Sequence, residues 1–125
     1  MSAKLSDLTN NALLGPSVYP ATVNDTNNGT GIDMIDADAA CFAVQVIGIV
    51  GGTTPSLTGK IQESADNTTW TDVAGATFTA VTTSNNVQTI TFERTKRFLR
   101  HFRTVSGTGP TFPLAVLIGE QKKSV

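Results

Sequence analysis

The chain has 125 residues, a length that suits one compact domain. Its formal net charge is −1 and only 15% of its residues are charged, so no overall field draws it to nucleic acid or to an anionic membrane. The one cysteine, Cys41, excludes an intrachain disulfide, and its neighbours Ala40 and Phe42 mark it as a buried, inert thiol.

Taken in chain order, residues 1–16 read as an arm distinct from a single domain at 17–125. Ser6 can cap a short helical turn, which stops at Gly15-Pro16. Leu5, Leu8, Leu13 and Leu14 are its leucines and the natural points for docking on a partner. Ser17–Val23 reads as an edge strand because Pro20 cannot donate to a ladder. Asn24–Gly29 is a loop and Gly31–Ile35 a short strand. Cys41–Val50 is the strongest strand and is expected to be central. Phe42, Val44 and Val46 share one face, and Gln45 interrupts the other between Cys41 and Ile47. This apolar run is about half the length a membrane helix needs. With no signal-like start, the expectation is a soluble protein made in the cytoplasm.

Gly51–Pro55 reads as a flexible loop and Leu57–Ser64 as a strand. Ala65–Thr68 is a tight turn, since Asp and Asn side chains bond nearby backbone and tolerate left-handed φ. The only tryptophan, Trp70, follows it at the start of the next strand. Further strands are expected at Thr77–Val81, Val87–Glu93, Arg97–Val105 and Phe112–Gly119, with turns at Ser84–Asn86 and Ser106–Pro110. The sum is an all-β chain of about seven or eight short strands with regular turn signals, the pattern of a sandwich or barrel, and a β-sandwich of jelly-roll or Ig-like kind is the expected form.

Little in the sequence suggests catalysis, and the chain is read as a non-enzyme without cofactor or metal. His101 is the only histidine and sits in a strand, where packing explains it better than chemistry. No Gly-x-Ser-x-Gly elbow accompanies it. Asp33, Asp36 and Asp38 match no calcium-loop spacing. Carboxylates among Glu63, Asp66 and Asp72 could pair as in a glycosidase, but turn chemistry already accounts for Asp66, which disfavours that reading. Trp70 is a sugar-stacking platform or, preferably, a packing residue at the hairpin base.

The basic run is sharper: Arg94, Lys96, Arg97, Arg100 and Arg103 lie within ten positions of one another, with Phe98 and Phe102 between them. Strand parity puts Arg100 with the two phenylalanines and Arg97 and Arg103 on the opposite face, so the charges form no single stripe for a nucleic-acid backbone. Pairing with carboxylates such as Glu63, Asp72 or Glu93, or with an acidic partner surface, is the expected use. Arg97, Arg100 and Arg103 are therefore candidate partner-binding residues.

Lys60–Val73, KIQESADNTTWTDV, with Arg94–Arg100, RTKRFLR, and the closing segments Val105–Pro110 and Ile118–Lys123, resembles the small decoration or cement proteins of tailed-bacteriophage capsids. That resemblance implies a virion protein on the capsid exterior, a dimer or trimer, that binds the major capsid protein. It would bridge neighbouring subunits against internal DNA pressure, without direct contact to nucleic acid or membrane. A neck or tail position is the near alternative. The hairpin and the Arg97–Arg100 strand also resemble discoidin-like domains, which implies carbohydrate binding instead.

Overall fold

Phe112, Leu114, Val116 and Ile118 alternate with less buried residues and line the core. They belong to β8 (Phe98–Lys122), a strand of 25 residues around which the rest of the sheet is arranged. The computed structural model describes residues 12–34 and 37–122; for 12–14, 37–38 and 121–122 only the backbone is described. The other strands are β1 (Ala12–Val23), β2 (Asn27–Asn28), β3 (Ile32–Asp33), β4 (Ala37–Ile47), β5 (Gly51–Ser64), β6 (Thr71–Thr77) and β7 (Asn86–Glu93). They form an antiparallel, nearly barrel-like eight-stranded sheet in the order β6-β5-β8-β4-β7, and β1, β2 and β3 also pair with β8. Among the described residues there is no helix.

The register shows how one strand organises so much chain. Along one edge of β8, β4 pairs from Lys122 to Leu114 and β5 continues from Thr111 to Phe98. Along the other edge, β1 pairs from Gln121 to Phe112, then β2 and β3 take over down to Phe98. A three-stranded ribbon results, and it doubles back so that the two ends of β8 lie together. Arg94, just ahead of β8, donates from Nε to Glu120 near its far end at 3.4 Å, and from its backbone N to Ala39 O at 2.9 Å. The core, which includes Met34, Leu57, Ile61, Phe78, Leu99 and Phe112, lies within the fold. Each large apolar side chain removed from water there contributes about 2 kcal/mol.

Two segments expected as a loop and a turn, Gly51–Pro55 and Ser106–Pro110, are strand, because they pair with each other. Gly51 faces Thr111, Thr53 faces Thr108 and Ser56 faces Ser106. Arg97–Val105 and Phe112–Gly119 are therefore parts of one strand rather than neighbours joined by a reversal. The glycines serve as bulges that bend the ribbon. Gly52 has φ 104° and Gly107 has φ 113°; a Cβ on Gly52 would stand 2.6 Å from Gly109 O, and one on Gly107 would stand 2.8 Å from Thr54 O. Inward-facing residues are odd-numbered before this bend (Leu99, His101, Arg103) and even-numbered after it (Phe112, Leu114, Val116).

The hairpin after β5 forms as expected, its second strand beginning at Thr71 directly after Trp70. β6 runs on to Thr77, and the separate strand expected at Thr77–Val81 is reduced beyond it to one bridge, from Val81 to Leu57. β1 begins at Ala12, so residues 12–16 of the expected arm pair with β8. Leu13 lies opposite Glu120 and Leu14 opposite Gly119 in that register. The helical turn expected at Ser6, with Leu5 and Leu8, lies outside the described residues.

Candidate functional site

The central strand β4 turns the opposite face inward from the one its apolarity suggests. Cys41, Ala43, Gln45 and Ile47 are buried, while Phe42 and Val44 are half-buried and Val46 is 41% exposed. Gln45 is accommodated in the interior by His101 of β8, whose Nε2 donates to Gln45 Oε1 at 2.8 Å. Burial, with a smaller contribution from the Arg103 charge, lowers the His101 pKa to about 4. Ser17 braces the same region: its Oγ donates to Thr30 O at 2.8 Å and accepts from His101 N at 2.9 Å. The single histidine is thus a neutral core residue.

The outward side of β4 becomes a sheet face with no charge in its middle. Across β7, β4 and β8 the rows read Thr91-Phe42-Gly119, Thr89-Val44-Leu117 and Val87-Val46-Ala115. Val87 is 66% exposed and Leu117 is 43% exposed. Glu93, opposite Ala40, is the first charge met at one end. At the other end Pro20, Pro113 and Gly48 line an apolar notch. Exposed apolar side chains grouped on one sheet face make it a candidate contact surface.

The other half of the ribbon presents different chemistry. Lys60 and Gln62 of β5 and Phe98, Arg100 and Phe102 of β8 point outward, paired Lys60 to Phe102, Gln62 to Arg100 and Ser64 to Phe98. The 64–70 turn delivers Trp70 to this face. Asp66 Oδ1 accepts from Ser64 Oγ, Thr68 N and Thr69 N, each at 2.9 Å, and those bonds, led by the backbone ones, hold its pKa below the usual carboxylate value. Asn67 takes the left-handed conformation, φ 60°, that the turn requires. Arg100 Cζ then lies 4.3 Å from the Trp70 ring centroid. One face of the indole is therefore covered by the protein's own guanidinium.

In the basic run strand parity holds for Arg100, which points outward, and for Arg103, which points inward, but not for Arg97. Arg97 lies ahead of β8, is exposed, and its Cζ stands 5.0 Å from the centroid of the outward-facing Phe98. The run also takes other partners than the expected Glu63, Asp72 and Glu93. Arg97 reaches Asp33 in a bidentate pair, Nε to Oδ1 at 2.8 Å and Nη2 to Oδ2 at 2.6 Å. Arg103 faces inward, is 7% exposed, and donates to Asp25 O and Oδ1 at 2.9 and 2.7 Å. Arg94 holds Glu120. These bonds reach from the basic run to the loop before β2, to β3 and to the end of β8, three contacts that no local spacing could reveal. Glu63 serves the backbone instead, accepting from Thr95 N and Oγ1 at 2.8 Å and from Lys96 N at 3.2 Å. Asp72 takes Lys60 and Gln62, which lower its pKa.

Cys41 is buried and donates to Glu120 Oε2 at 2.7 Å; burial first, and then the Glu120 carboxylate, push the thiol pKa well up. No group of three or more potential metal ligands occurs among the described residues, and Asp33 is engaged by Arg97. No protein-family model matches the chain, and no curated protein matches it. The described residues therefore define an antiparallel β protein with two chemically distinct exposed faces, one apolar and uncharged, one aromatic and cationic.

Proposed function

We propose that the chain is a structural virion protein of a tailed bacteriophage, bound to the outside of the capsid shell and bridging neighbouring copies of the major capsid protein. The observation that carries this reading is the exposed apolar face of Val46, Val87 and Leu117, an uncharged surface suited to a protein partner. In this reading the folded ribbon is a β-sandwich of jelly-roll or Ig-like kind, and the segment ahead of β1, with Leu5 and Leu8, reaches across a subunit junction as an arm. One such face is small beside the roughly 800 Å² per partner of a standard interface. Holding would come from repetition: symmetric copies, as dimers or trimers, make weak contacts act together.

The discoidin-like alternative relies on Trp70 as a sugar platform. Arg100 lies over that ring, which argues against the alternative. A neck or tail position would use the same surfaces. Cosedimentation with expanded, undecorated shells tests the proposal; binding to a glycan array without binding to shells would replace it with the alternative.

A further inference from the structure

Four arginines are present, and three of them are neutralised within the chain. Arg94 pairs with Glu120 at 3.4 Å, Arg97 with Asp33 at 2.6 Å and Arg103 with Asp25 at 2.7 Å. Arg100 differs. Its Nε donates to the Gln62 amide oxygen at 2.9 Å, and Nη1 and Nη2 make no hydrogen bond to the described residues. The group is half-buried, and burial disfavours its charge. No carboxylate among the described residues pairs with it, and its Nη atoms are not buried, so the fork keeps an open side toward solvent that can take a counter-charge.

The arrangement is also rigid. Trp70 supports the guanidinium plane from one side. Trp70 is in turn closely approached by Gly31, where a Cβ would lie 3.1 Å from the indole Cη2. Gln62 is held by Asp72, to which its Nε2 donates at 3.1 Å, and Asp72 is held by Lys60 at 3.0 Å. Lys60 itself lies 5.4 Å from the centroid of Phe102. This relay fixes the direction of the Arg100 fork before any partner arrives, which reduces the ordering cost of binding.

We propose that the free edge of Arg100 is a carboxylate anchor, taking one acidic side chain of a partner protein in a bidentate pair. The planar fork matches a carboxylate in shape and charge, and stacked Arg–Trp pairs are the residue types that dominate contact energies. A nucleic-acid strand fits less well. It needs a succession of cations, whereas Lys60 and Arg97 are held by Asp72 and Asp33, whose carboxylates would repel phosphates. That leaves Lys96, with its Nζ on Thr71 Oγ1, as the one further cation of the run outside an ion pair among the described residues.

Trp70 is the only tryptophan, so its emission reports on this site alone. The full chain is titrated with a blocked hexaglutamate peptide, a hexaglutamine peptide and a hexathymidylate at constant ionic strength. The expected result is a saturable change with hexaglutamate only. Arg100→Lys should weaken it by about tenfold or more, because the bidentate geometry is lost, and Arg100→Gln should abolish it. If Arg100→Gln does not fold, Arg100→Lys decides alone. No saturable change with hexaglutamate, an undiminished response in Arg100→Lys, or a response to hexathymidylate equal to or stronger than that to hexaglutamate overturns the proposal. No capsid shell is involved, so failure here and failure of the virion reading are separate results.

Discussion

His101 and Gln45 meet in the interior at 2.8 Å, both fully buried, one from β8 and the other from β4. Among the described residues Gln45 Nε2 and His101 Nδ1 have no hydrogen-bond partner, so this contact carries most of the polar satisfaction of the two side chains. It exists because Gly59 leaves space beside it: a Cβ there would collide with Gln45 Oε1 and with His101 Nε2. Gly59→Ala is therefore expected to lose about 2–3 kcal/mol of stability through overpacking, measured by urea unfolding.

The same pair sets a pH dependence. The folded pKa of His101, about 4, lies below its ordinary 6.5, so the folded state binds the proton less well than the unfolded chain. Its neutral form thus supports stability fully above pH 6.5, and this support is lost as pH falls toward 4. The loss should reach about 3 kcal/mol, levelling off below the folded pKa. Urea midpoints between these two values should fall in the wild type and be much flatter in His101→Gln.

Glu63 holds the turn between β7 and β8 through three hydrogen bonds, from Thr95 N, Thr95 Oγ1 and Lys96 N. Glu63→Ala leaves those donors without their acceptor and should cost about 2–4 kcal/mol in thermal or urea unfolding. Glu63→Gln, which keeps one acceptor oxygen, should cost less.

Cys41 should behave as an inert core residue. Burial and the Glu120 carboxylate both disfavour the thiolate, the reactive form. A thiol reagent at neutral pH should label the native protein far more slowly than the urea-unfolded chain. Equal rates would contradict this packing.

Much of the fold was legible, because strand periodicity is local. The all-β class, the central place of β4, and the shared outward face of Phe98, Arg100 and Phe102 all follow from alternation. What could not be read is non-local. Two glycine-rich segments that each look like loops become strand only by pairing with one another. The inward choice of the Gln45 face depends on His101 and Gly59, which are remote in sequence. The partners of Arg97 and Arg103, Asp33 and Asp25, are set by the pairing of the second and third strands with β8. Arg100 is legible in sequence as one of three candidate partner-binding arginines and the one that shares a face with Phe98 and Phe102; its place over Trp70 requires the β5–β8 register and the Asp66 turn.

The central claim, that the uncharged face of β4, β7 and β8 contacts a capsid shell, is tested most directly by cosedimentation of the wild type and of the double variant Val87→Lys, Leu117→Lys with expanded, undecorated shells. Both positions are exposed, so the variant should stay within about 1 kcal/mol of wild-type stability. The account predicts saturable cosedimentation of the wild type and its loss in the folded variant. A wild type that stays in the supernatant, or a variant that pellets with undiminished affinity, would contradict it.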